Sequence, residues 1–236
     1  MNPTPSEWTS VILSLEVALL ATLINLPLAI GMSWLLSRTR FFGRRALDLV
    51  VHAPLVLPPV VVGYLLLIVF GTRGLIGHWL LATTGIRLAF TFQGAVLAAA
   101  AMSFPLMVRS MRLSLDTMDH GLELAARTLG ASRRDVFLSV TAPLMLPGII
   151  AGSIVGLARA LGEFGATITF AGNIEGETRT IPVAIYTATA TVGGDQSAMR
   201  LVAISLILSF VALYLAGWLE ARVRVALGYS RPSDVA

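Results

Sequence analysis

The sequence predicts an all-α integral membrane protein, a single domain over residues 1–236 with about five transmembrane helices. Three observations carry this reading. Hydrophobic residues make up 56% of the chain and charged residues only 13%, about half the charged share of a soluble domain. The apolar residues gather into stretches close to the roughly 20 residues needed to cross a hydrocarbon core. All 17 basic residues are arginines, and most sit at the ends of those stretches.

The first stretch runs from about Ser10 to Leu36 and is followed by Arg38, Arg40, Arg44 and Arg45. No Lys or Arg precedes Arg38, so the positive flank of a cleavable leader is missing and the stretch reads as a retained span. The second extends from about Leu47 to Phe70, with the pair Pro58–Pro59 in its middle as the best candidate for a helix break. The segment from Gly71 to Thr91 is too interrupted by Gly and charge to span, and Leu75–Thr83 within it reads as a short surface helix.

The third stretch goes from about Phe92 to Leu106, ending at Arg109 and Arg112, and the fourth from about Pro143 to Thr169. Residues 173–200 hold the apolar run Val183–Val192, too short to cross, and are expected to form a loop with a short or re-entrant helix. A sixth span would need this region to cross, against the distribution of charge. The fifth stretch covers about Leu201 to Leu219, before Arg222, Arg224 and Arg231. Arginines are dense between stretches one and two, between three and four, and after five. The positive-inside rule therefore puts the N-terminus outside and the C-terminus in the cytoplasm.

Composition also excludes chemistry. Without cysteine there is no disulfide, thiol nucleophile or cysteine zinc site. Without lysine there is no Gly-x-x-x-x-Gly-Lys phosphate loop, so the chain cannot itself hydrolyse ATP in that manner. His52, His78 and His120 lack metal-ligand spacing. The net charge of +4 is explained by membrane orientation better than by nucleic acid.

The most informative segment lies between stretches three and four, about residues 115–143. Asp119 is placed to cap a short helix and Gly130 to end it. Leu122, Ala125, Ala126 and Leu129 share one small apolar face, and Ser132-x-x-Asp135 is a second helix start leading into stretch four. Residue chemistry alone leaves open whether this helix packs on its own chain or meets another surface. The pattern Ala125-Ala126-x-x-x-Gly130, with Val140 and Pro143 beyond it, resembles the EAA loop of bacterial ABC-importer permeases. The family's acidic position is Leu124 here, with Glu123 one residue earlier, and its Leu before the Pro is Ala142.

The resemblance implies a type I ABC importer permease fold with a coupling helix that docks on a separate ATPase. Glu123, Ala125, Ala126, Arg127, Gly130, Val140 and Pro143 would form the coupling set. It also implies a second permease copy, two ATPase subunits that bind ATP and Mg, and a periplasmic or extracellular binding protein. No cofactor would lie in this chain, and the location would be the bacterial inner (plasma) membrane.

Further on, Gly162-Glu163-Phe-Gly165-Ala-Thr167-Ile-Thr169-Phe and Gly176-Glu177-Thr-Arg179-Thr-Ile-Pro182 are similar to the molybdate branch of the oxyanion permeases. So is the run Pro54 to Tyr64. Sulfate, thiosulfate and tungstate are the alternative cargoes. Arg159 and Glu163 lie one turn apart inside stretch four, where a charge normally faces a partner or a cavity. Pairing that only holds helices together and a role in the pathway or gate both stay open for them. The same holds for Pro58, Pro59, Thr167 and Thr169. Gly148, Gly152 and Gly156 form a stripe that admits a close helix, in this chain or a second copy. A secondary transporter is disfavoured by the lack of visible inverted repeats, and a membrane-embedded hydrolase by the lack of a nucleophile motif.

Overall fold

Charge at the ends and apolar residues between them build the long helices in order. The computed structural model describes residues 3–226, and Arg231 lies outside the described residues. Helix α1 covers Pro5–Arg38, opened by a capping box in which Thr4 and Glu7 satisfy each other's backbone N–H groups. Then come α2 (Arg44–Val56), α3 (Pro59–Phe70), α4 (Leu75–Thr84) and α5 (Phe92–Asp116). The connecting segment holds α6 (His120–Thr128) and α7 (Arg133–Val136). A π-helical turn over Phe137–Thr141 leads into α8 (Ala142–Leu161), followed by α9 (Gly165–Phe170), α10 (Ile181–Thr189) and α11 (Asp195–Ala226).

Four of these are long and apolar enough to cross a membrane: α1, α5, the continuous run Arg133–Leu161, and Asp195–Leu215 of α11. The pair α3 and α4, bent by 47°, makes a fifth if it is one broken span. The expected second span, Leu47–Phe70, is therefore not one helix. It breaks at Leu57–Pro58, where two consecutive prolines remove two backbone donors and Pro59 takes the first turn of α3; the single prolines Pro27, Pro54, Pro105 and Pro147 stay inside helices. The fourth stretch stops at Leu161 rather than Thr169, and α9 begins after a short break. In residues 173–200 the structure has the short helix α10.

Helix α5 is the centre of the bundle, packed against both α1 and α8, which also meet each other. Small residues allow the approach. Ala18 and Ala21 of α1 meet Ala95 and Ala99 of α5 in one buried cluster. Gly148, Gly152 and Gly156 of α8 lie on α5 of the same chain. A Cβ at Gly148 would come within 2.4 Å of the Ser114 side chain, and one at Gly156 within 2.5 Å of Met107. Close packing of this kind holds membrane helices together where lipid removes most of the hydrophobic drive. A polar contact fixes the register, as Asn25 Nδ2 donates to the carbonyl of Ala100 at 2.9 Å and to Ser103 Oγ at 3.1 Å.

Candidate functional site

Two regions carry the residues singled out by the sequence. The first is the segment from Asp119 to Pro143. The Asp119 side chain accepts from the backbone N–H of Gly121 at 2.8 Å, which opens α6. At the other end Gly130 has φ +89°. Its N–H reaches the carbonyl of Arg127 at 3.0 Å, and that of Ala131 reaches Ala126 at 3.1 Å. Those two bonds are a Schellman closure, which needs a left-handed residue and so favours glycine. Ser132 and Asp135 then cap α7 reciprocally.

Between these caps α6 stands out from the bundle. Leu122, Leu124, Ala125, Arg127 and Leu129 are exposed, Leu129 to 89% of its surface. An apolar patch this open on a short polar loop is the composition of a contact surface. Ala126 is half-buried, and Glu123 turns inward. The Glu123 carboxylate lies 3.3 Å from the Arg38 guanidinium at the end of α1, and it accepts a 2.8 Å hydrogen bond from Thr141 Oγ1. Val140 sits in the π turn and Pro143 in the first turn of α8, both half-buried. The seven residues thus divide into an outer face and a root.

The second region is where α3 meets α9. A Cβ at Gly63 would lie 2.7 Å from the carbonyl oxygen of Ala166, and one at Gly165 would lie 2.7 Å from Pro59 Cβ. The two glycines let the backbones of α3 and α9 touch, directly beside the Pro58–Pro59 break. Glu163, 1% exposed at its side chain, sits in the gap between α8 and α9. One of its oxygens accepts from the backbone N–H of Ala166 at 2.7 Å, capping α9; the other is 2.6 Å from Arg159 Nη1. Arg159 keeps 27% of its side chain exposed, so the pair has a sealed acid and an accessible cation. Thr167 is buried, and the Thr169 hydroxyl donates to the Gly165 carbonyl at 2.8 Å, inside its own helix.

The opposite end of the bundle holds a polar cluster that sequence reading missed. Glu7, 5% exposed, receives Arg200 through both its oxygens and also accepts from Ser197. Nearby, the Ser6 hydroxyl and the Arg179 guanidinium hold the Glu175 carboxyl below the usual carboxylate range. The Thr4-x-x-Glu7 pattern is legible as a cap, but nothing local names a partner on α11.

A helical bundle with several apolar helices long enough to cross a membrane, a helix break in its interior and a short exposed helix at one end has the architecture of a membrane permease. The chain belongs to the family described as binding-protein-dependent transport system inner membrane component, whose model matches residues 18–225. It is 57% identical over 225 residues to the molybdenum transport system permease protein ModB of Escherichia coli, covering 95% of this chain and 98% of that one. To the probable sulfate transport system permease protein cysT of Nephroselmis olivacea it is 35% identical over 225 residues, covering 95% and 78%. Its fold matches a bacterial ABC transporter involved in the import of the acidic polysaccharide alginate, with TM-score 0.76 over 93% of this chain and 80% of that chain at 17% identity. It is thus an inner-membrane component with the type I ABC importer permease fold.

Proposed function

We propose that this chain is the membrane-spanning permease subunit of an ATP-driven molybdate importer. The observation that carries the cargo assignment is the difference in likeness, 57% to a molybdenum permease against 35% to a sulfate one over the same length. The transport role is supported by the exposed helix α6, closed at both ends and presenting Leu122, Ala125, Arg127 and Leu129 outward. Its rigid, apolar surface suits the docking groove of a separate ATPase.

In this reading the α6 end of the bundle is cytoplasmic. Arg38, Arg40, Arg44 and Arg45 at the foot of α1 lie on the side to which Glu123 of α6 is tied, which supports an N-terminus outside and a C-terminus inside. Two copies of the chain pair with two ATPase subunits, which bind ATP and Mg, and an external binding protein delivers molybdate. The pathway runs by the α3–α9 contact, with Pro58, Pro59, Arg159, Glu163, Thr167 and Thr169 shaping it. Arg159 supplies positive potential for a dianion, while Glu163 keeps it from becoming a trap.

ATP-dependent molybdate uptake by the reconstituted assembly tests the reading, with tungstate or sulfate in excess. Competition by tungstate and not sulfate is expected. Strong competition by sulfate would transfer the chain to the sulfate branch, and uptake independent of the ATPase would overturn the ATP-driven reading.

A further inference from the structure

A docking helix delivers motion only if its root is fixed to the helices that must move. The root of α6 is small and specific. Glu123 is the one acidic side chain in α6, and it is turned away from the exposed Leu122, Leu124 and Leu129. Its carboxylate joins three elements: α6 itself, the end of α1 through Arg38, and the π turn through Thr141.

Each partner is held in turn. Arg38 keeps 10% of its side chain exposed, and its guanidinium also lies 3.5 Å from the Leu115 carbonyl and 3.5 Å from Met118 Sδ, at the end of α5. Ser37, beside it, donates to Asp116. Thr141 is 3% exposed and ends a π turn whose closing bond runs from the Ala142 N–H to Phe137. Pro143 follows, with no N–H to offer the Ser139 carbonyl. π turns are rare inside helices, and they concentrate at functional positions. By contrast Arg127, on the outer face of α6, is exposed.

We infer that Glu123 is an internal tether, a positioning residue that transmits displacement of α6 to α1 through Arg38 and to α8 through Thr141, and not a contact with the ATPase. The inference rests on the reading of α6 as the docking helix. It separates the residues of this segment by task, with Leu122, Ala125 and Leu129 binding the partner and Glu123, Arg38 and Thr141 delivering the motion. Loss of the tether leaves a docked helix that turns without moving the bundle.

The test uses the full-length permease assembled with its ATPase and binding protein in liposomes, reading ATPase co-purification and molybdate taken up per ATP hydrolysed. For Glu123→Ala, co-purification stays within about twofold of the parent while uptake per ATP falls by roughly fivefold or more, the scale of one coupled buried pair. Glu123→Gln keeps an acceptor for Thr141 and loses the charge facing Arg38, so it falls between the two. The exchange Arg38→Glu with Glu123→Arg recovers uptake per ATP above either single change. Thr141→Val, which leaves the ion pair intact, provides a second route to the same loss should Glu123→Ala insert poorly. Loss of ATPase binding in Glu123→Gln, or unaltered uptake per ATP in both Glu123→Ala and Thr141→Val, would overturn the inference. Leu129→Asp distinguishes failure of the underlying reading: if that variant still retains the ATPase, α6 is not the docking helix.

Discussion

Glu7 and Arg200 meet at 2.7 Å although 193 residues separate them, and the contact joins the first turn of α1 to the start of α11. The acid is buried and the guanidinium engages both of its oxygens, with Ser197 as a further donor. Removing only the cation leaves a largely covered carboxylate without its counter-ion, which is destabilising. Arg200→Ala should therefore lower the thermal midpoint of the purified permease in detergent. Arg200→Ala with Glu7→Gln should recover part of the loss, since a neutral amide is cheaper to bury. A parental midpoint in Arg200→Ala would show that the pair holds nothing together.

Gly165 and Gly63 make a different demand, one of space. An added Cβ at Gly63 meets the Ala166 carbonyl at 2.7 Å and its Cα at 2.9 Å, and backbone atoms cannot step aside as a flexible side chain can. Overpacking of this sort costs about 1–3 kcal/mol. Gly63→Ala should insert and yet transport poorly, with α3 and α9 levered apart. Cysteine pairs placed across α3 and α9 should then cross-link more slowly than in the parent. Undiminished uptake would mean that the close approach is incidental to the pathway.

Much of this was legible beforehand, and the limits have physical causes. Asp119, Gly130 and the Ser132–Asp135 box announced the two ends of α6 and the start of α7, because caps are local chemistry. The Pro58–Pro59 break was visible for the same reason. Helix ends depart from the apolar stretches where charge is paired across the bundle. The third apolar stretch ends near Leu106, whereas α5 continues to Asp116, with Arg112 held by Asp48 and Asp116. Glu123 turning inward depends on Arg38 and Thr141, neither of which is a neighbour in sequence. The helix that fills the glycine stripe of α8 is likewise set by distant residues, Met107 and Ser114 of α5.

Gly130 closes α6 with φ +89°, and its Cβ position opens onto empty space. A substitution there is limited by backbone strain alone, about 1–2 kcal/mol for an ordinary L-residue in the left-handed region. Gly130→Val should leave the protein inserted at normal levels and reduce both ATPase binding and uptake. Gly130→Asn, which tolerates that conformation, should be milder. Should Val and Asn prove equally damaging, the loss would come from the outer surface and not from the helix end.

Arg159 and Glu163 can be separated by the same reasoning that joins them. Glu163 is sealed, caps α9 through the Ala166 N–H and sits 2.6 Å from Arg159. If the arginine serves only to neutralise the acid, Arg159→Ala destabilises the protein and Glu163→Gln in the same chain restores both stability and uptake. If the arginine also attracts the dianion, the double variant regains its thermal midpoint while uptake stays low, because the amide replaces the acid's cap and nothing replaces the exposed positive charge. The second outcome is expected from the 27% exposure of the Arg159 side chain. A thermal midpoint and an uptake rate measured on the same four proteins, the parent, each single variant and the double, distinguish the cases. Recovery of uptake together with stability would reduce Arg159 to a helix-packing residue and move the positive potential of the pathway elsewhere.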